Sequence, residues 1–218
     1  MSTLYGKSTP VPAPFAGISD FLLDLPADRP LRILQLTDMQ IIDASQQRTP
    51  DRLNQRETNL WQPASIPVQC TDHIRSVVAQ TTPDLIFITG DVIYGEFDDS
   101  GASMDLFCDF MDGLGVPWAP VYGNHDNESR QGIDWQNSRF EAADLCLFRK
   151  GTVTGNGNYS IGIVQGGKMV KAVYMMDSNG CKNSTDDEVL KEELRYMTST
   201  GRKNPVPQHR VHGLFRIL

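Results

Sequence analysis

Three short apolar runs in this chain each end on residues able to ligate a metal ion. They are residues 31–37 followed by Asp38-Met39-Gln40, residues 83–89 followed by Gly90-Asp91, and residues 116–122 followed by Gly123-Asn124-His125-Asp126. An apolar run of this length reads as a buried strand, and a Gly or polar stop at its end places the next side chain on a loop. Parallel strands gather such loops at their carboxyl edge, where open α/β sheets bind ligands. Carboxylates, an amide and an imidazole can therefore converge from positions far apart in sequence. Hard divalent or trivalent ions prefer that oxygen-rich mixture with one or two nitrogens.

The rest of the chain supports an α/β reading. Apolar residues Ile74, Val77 and Val78 predict a helix over 71–80 ahead of the second strand at 84–89. Met104, Phe107, Phe110, Met111 and Leu114 recur at steps of three and four and predict a helix over 101–114. A third strand over 116–122 and a helix over 136–148 follow. Two β-type runs joined by Gln165-Gly166-Gly167-Lys168 predict an antiparallel hairpin. Leu190, Leu194 and Met197 suggest a helix over 186–199. Residues 1–30, with Pro10, Pro12 and Pro14, read as an irregular lead-in. The polar stretch from Ile42 to Pro67, with Arg48, Arg52, Arg56 and Trp61, is long for a loop in a compact domain, and such loops are usually functional or mobile.

A length of 218 residues suits one α/β domain. A net charge of −7 argues against a nucleic-acid or anionic-membrane partner, but not against a phosphate substrate, because bound cations invert the local field. No apolar stretch approaches the roughly 20 residues needed to cross a bilayer, and the amino-terminal segment lacks the basic start and apolar centre of a secretory signal. Cys70, Cys108, Cys146 and Cys181 are widely spaced and imply neither a disulfide framework nor a zinc knuckle. Reduced packing cysteines in a cytoplasmic protein are expected.

With Asp38-x-Gln40, Gly90-Asp91 and Gly123-Asn124-His125-Asp126 in this order, the chain resembles the calcineurin-like metallophosphoesterase superfamily over about residues 31–180. The resemblance implies an α/β/β/α sandwich and metal-dependent hydrolysis of a phosphate ester on a phosphorylated small molecule or similar substrate. It implies two divalent or trivalent ions, with Mn, Fe and Zn all compatible, and a metal-held hydroxide as nucleophile. By the same resemblance Asp91 bridges the two ions, Asp38 binds the first and Asn124 the second. His125 contacts the phosphate, and Asp126 orients His125 through its other ring nitrogen.

Two departures qualify this expectation. The family usually has His where this chain has Gln40, a neutral and weaker ligand for transition metals. Gly90-Asp91-Val92-Ile93-Tyr94 matches a segment of purple acid phosphatases, which makes the Tyr94 phenolate a candidate ligand alongside the Gln40 amide. No Gly-His-x-His segment follows, and the later histidines, His209 and His212, read as part of a tail. The chain therefore divides into a lead-in at 1–30, a phosphoesterase domain at 31–200, incomplete at its carboxyl end, and a tail at 201–218. The alternative to an active hydrolase is a truncated, catalytically impaired domain that binds at most one metal or phosphate. Among lesser candidates, Asp98 and Asp99 read as a solvated turn or helix cap, Asp177 as a turn residue, and His73 as a helix residue away from any motif.

Overall fold

The structure, a computed structural model, describes residues 2–51, 53–94, 99–123, 125–152 and 155–177, with the backbone alone for Asn127 and for 214–217. In chain order the elements are β1 (Thr3–Tyr5), β2 (Phe21–Leu25), β3 (Ile33–Leu36), α1 (Gln55–Leu60), α2 (Ile66–Thr81), β4 (Leu85–Thr89) and α3 (Ala102–Gly113). After these come β5 (Trp118–Val121), a 3-10 turn at Asp126–Glu128, α4 (Ile133–Ala142), β6 (Tyr159–Gln165), β7 (Lys168–Met176) and β8 (Leu214–Ile217).

Two sheets result. The smaller is parallel, in the order β3-β4-β5. Its centre is β4, whose Leu85, Ile86, Phe87 and Ile88 are fully buried, as a strand covered on both faces requires. The larger sheet runs β1-β2-β6-β7-β8, with β2 and β6 parallel and the other pairs antiparallel. The β6–β7 hairpin turns at Gly166-Gly167, both at positive φ, as the sequence predicts.

The two sheets share one core. Ile74 and Val78 of α2, with Met104, Phe107 and Met111 of α3, join the cluster that contains β4 and β5. An aromatic chain carries this core into the larger sheet. Trp118 lies edge-to-face with Phe107 and Phe140, and Phe148 bridges Tyr122 to Tyr159. Each such pair adds about 0.5–1.5 kcal/mol beyond its area burial. The Tyr159 hydroxyl donates to the Pro120 carbonyl and joins β6 to β5. The sandwich agrees with the α/β architecture read from the sequence. Among the described residues no helix is long and apolar enough to cross a membrane.

Some elements differ from expectation. The lead-in contains β1 and β2, and β2 is a buried strand of the larger sheet. Arg29 fastens the following segment by a two-pronged contact with the Asp84 carboxylate, at 2.7 and 2.5 Å, and Gln165 donates to the carbonyls of Pro26 and Arg29. Helix α2 starts earlier than predicted, with a proline in its first turn, where the missing N–H costs nothing. Helix α4 spans Ile133–Ala142, not 136–148. The Asp112 carboxylate takes the N–H groups of Asp144 and Leu145, and the chain then bridges to Trp118 as an extension of the parallel sheet. The suggested helix over 186–199 lies outside the described residues.

Candidate functional site

The loops leaving β3, β4 and β5 lie side by side, joined by backbone and carboxylate bonds. Beyond β3 the chain keeps pairing with the loop after β4. Asp38 N–H donates to Gly90, Gln40 N–H to Asp91 and Ile41 N–H to Val92, at 3.2, 2.8 and 3.0 Å. Asp38, Gln40 and Asp91 all sit at positive φ, of 52°, 42° and 52°. Left-handed backbone costs a residue with a β-carbon on the order of 1 kcal/mol, so three such residues together mark a strained, over-determined region.

The loop after β5 is tied in by two carboxylates. Asp126 is fully buried, and its oxygens accept the N–H groups of Asp91, Val92 and Gly123 at 2.9, 2.8 and 2.7 Å. Burial pushes its pKa up to about 6, against the pull of the Gly123 hydrogen bond and with the help of the nearby Asp91 charge. Asp91, itself buried, returns the contact by accepting the His125 N–H on Oδ1 at 2.9 Å. Its Oδ2 lies 3.5 Å from the Gln40 amide nitrogen, the outer limit of a hydrogen bond. Asp38 is exposed and takes the Thr37 hydroxyl.

The imidazole of His125 is oriented by a different acid from the one expected. Its Nδ1 lies 2.9 Å from Oε2 of Glu128, one 3-10 turn on, while Asp126 is committed to backbone donors. Glu128 was not singled out from the sequence, although a spacing of three within a helical turn brings such pairs together. Tyr94 is 5% exposed and lies parallel to the His125 ring, with centroids 6.3 Å apart, and Trp61 meets Tyr94 edge-to-face at 5.3 Å. Asn124 lies outside the described residues, as do Asp98, Arg52, His209 and His212.

The lesser candidates resolve into structural roles. Asp99 is fully buried, not solvated, and accepts from Gly101 N–H, the Ser129 hydroxyl and Arg130 N–H. Asp177 accepts the Asn156 N–H and stabilises the turn before β6. His73 is exposed on α2, and Arg48 pairs at the surface with Asp51.

Two expectations are overturned. A pair of Mn, Fe or Zn ions needs several anionic or imidazole ligands at each metal, and among the described residues no group of three or more His, Cys, Asp and Glu side chains comes together to hold one. The donors do not fit a binuclear centre. Asp126 is turned inward, Asp91 holds the His125 backbone, His125 is paired with Glu128, and Gln40 offers a neutral amide. Hydrolysis by a hydroxide held between two metals therefore loses its structural basis in these residues.

Comparison with known proteins bears on the same residues. The chain is 32% identical over 152 residues to "Probable inactive purple acid phosphatase 14" of Arabidopsis thaliana, an alignment covering 62% of this chain and 35% of that protein. It is 30% identical over 100 residues to "Probable inactive purple acid phosphatase 29" of the same plant, covering 45% of this chain and 24% of the relative. The chain thus spans about a third or less of the length of these relatives. Residues 31–213, a span that includes all three strand-end segments, match the family described as calcineurin-like phosphoesterase, and the chain belongs to that family.

Proposed function

We propose that this domain recognises a phosphate ester without hydrolysing it at a two-metal centre, and holds at most one ion at the edge formed by Asp38, Gln40 and Asp91. One observation carries this reading: the acidic and imidazole groups at the strand ends are engaged with one another and with backbone, and no set of three ligands gathers among the described residues. Both named relatives are called inactive, which accords with a lineage that has kept the fold and lost turnover. Their names also favour a purple acid phosphatase-like branch, consistent with Gln40 in place of His and with Tyr94 four residues past Gly90.

In this reading residues 31–200 form the phosphoester-recognising unit. His125 is the phosphate contact. With Nδ1 facing Glu128, any ligand contact through the ring uses Nε2. Asp126 acts as scaffold, holding the backbone on which Asp91 and His125 sit.

Metal analysis with an activity assay tests this. The purified chain should bind no more than one equivalent of Mn2+ or Zn2+ and should leave p-nitrophenyl phosphate intact. Two tightly held equivalents, with turnover lost in Asp91→Ala, would overturn the proposal.

A further inference from the structure

Residues 42–65 are longer than a simple connection needs, and two of them, Gln46 and Trp61, are anchored to Tyr94 next to His125. Tyr94 N–H donates to the Ile41 carbonyl at 3.0 Å, and the buried amide of Gln46 donates to the Tyr94 carbonyl. The Trp61 indole N–H then donates to the Gln46 carbonyl at 3.0 Å, while its ring meets Tyr94 edge-to-face. Trp61, Tyr94 and His125 thus form an aromatic row that ends at the proposed phosphate contact.

Trp61 remains partly exposed, unlike Trp118, which is fully buried. Its only polar atom is satisfied inside the protein, so what it offers to solvent is an apolar ring. A two-torsion side chain pinned at its nitrogen and against a neighbouring ring loses little further entropy on meeting a ligand. Sites for small molecules are commonly lined in this way, with aromatic surface beside a few polar groups.

We infer that Trp61 is a specificity-determining residue and that the ester bound beside His125 carries an aromatic ring in its organic part. This rests on the reading that the strand-end edge takes a phosphate ester. A ligand whose phosphate meets His125 projects its ring along the row toward Trp61, and an alkyl ester of the same charge gains nothing there.

Calorimetric titration of phenyl phosphate and methyl phosphate, with and without excess Mg2+, separates the ring from the phosphate. Phenyl phosphate should bind about fivefold more tightly than methyl phosphate, the scale of a single ring contact. That ratio should fall to about one in Trp61→Ala and be largely kept in Trp61→Phe. Equal binding of the two esters by the native chain, or a preference that persists in Trp61→Ala, overturns the role of Trp61 while leaving phosphate recognition standing. Failure of both esters to bind overturns phosphate recognition and this inference with it.

Discussion

A β-carbon added to Gly90 would lie 2.6 Å from the Cα of Gly123, and one added to Gly123 would lie 2.5 Å from the Asp91 nitrogen and collide with its carboxylate. The glycines of the two motifs are therefore each other's packing partners, and they bring the loops after β4 and β5 into backbone contact. Asp126 can reach across to Asp91 and Val92 because nothing separates these loops.

Gly123→Ala should accordingly destabilise the domain by about 2–3 kcal/mol, at the upper end of overpacking costs, since backbone and a buried carboxylate must move. Gly90→Ala should cost more, because φ at that position is also 95°. Urea unfolding of both variants measures this. A loss below about 0.5 kcal/mol for either would show that the loops are not in contact as described.

Glu128→Ala should release the His125 ring. With Nδ1 facing a carboxylate, the neutral imidazole carries its proton on Nδ1, and removing the carboxylate should move the population toward the Nε2–H form that predominates in water. Nitrogen-detected NMR of the ring reports this directly. Glu128→Asp, with a shorter reach, should restore only part of the native pattern. An unchanged tautomer in Glu128→Ala would remove Glu128 from the site.

Much of this arrangement was legible in the sequence for a simple reason. Residues 85–88 and 116–122 are apolar without interruption, so a buried strand is the only economical reading, and the glycine that ends each segment must open a loop at one sheet edge. The same logic failed for β2: Phe21–Leu25 is short, interrupted by Asp24 and lies among prolines, so it reads as part of a lead-in. The site was harder to read because motif spacing locates side chains without saying what they face. Asp126 and Glu128 stand one and three residues after His125, and only the fold turns the first into the core and the second toward the ring. The metal count failed for the same reason, since acids at strand ends can serve as hydrogen-bond acceptors for backbone.

Asp126 should leave a signature in the pH dependence of stability. Its pKa in the native protein, about 6, lies above the unfolded value near 3.8, so between these limits the native state keeps a proton that the unfolded chain has released. Its contribution to stability is then greatest at about pH 4 and below and is lost as pH rises toward 6. The full effect is on the order of 3 kcal/mol. Denaturation of the native chain and Asp126→Asn at pH 4.5, 5.5 and 6.5 isolates this contribution, because the amide does not titrate. The stability difference between the two should shrink as pH rises, and a difference independent of pH would refute the assignment.

The loops that a metal pair would otherwise hold together are here joined by carboxylate-to-backbone bonds, and stability should reflect that. A ligand bound to the native state alone stabilises it by about 2.7 kcal/mol at a hundredfold excess over its dissociation constant, so a resident binuclear centre would make unfolding sensitive to chelators. In this domain the Asp126 bonds to Asp91, Val92 and Gly123 and the Asp91 bond to His125 already tie these loops to one another. Thermal unfolding should therefore shift by less than about 2 °C on adding EDTA, below what 1 kcal/mol would produce in a domain of this size. Asp126→Ala, which leaves three N–H groups without their acceptor, should lower the midpoint far more, with a cost of about 3 kcal/mol or above. A large drop with chelator, reversed by Mn2+ or Zn2+, would mean that metal rather than Asp126 holds the strand ends in register.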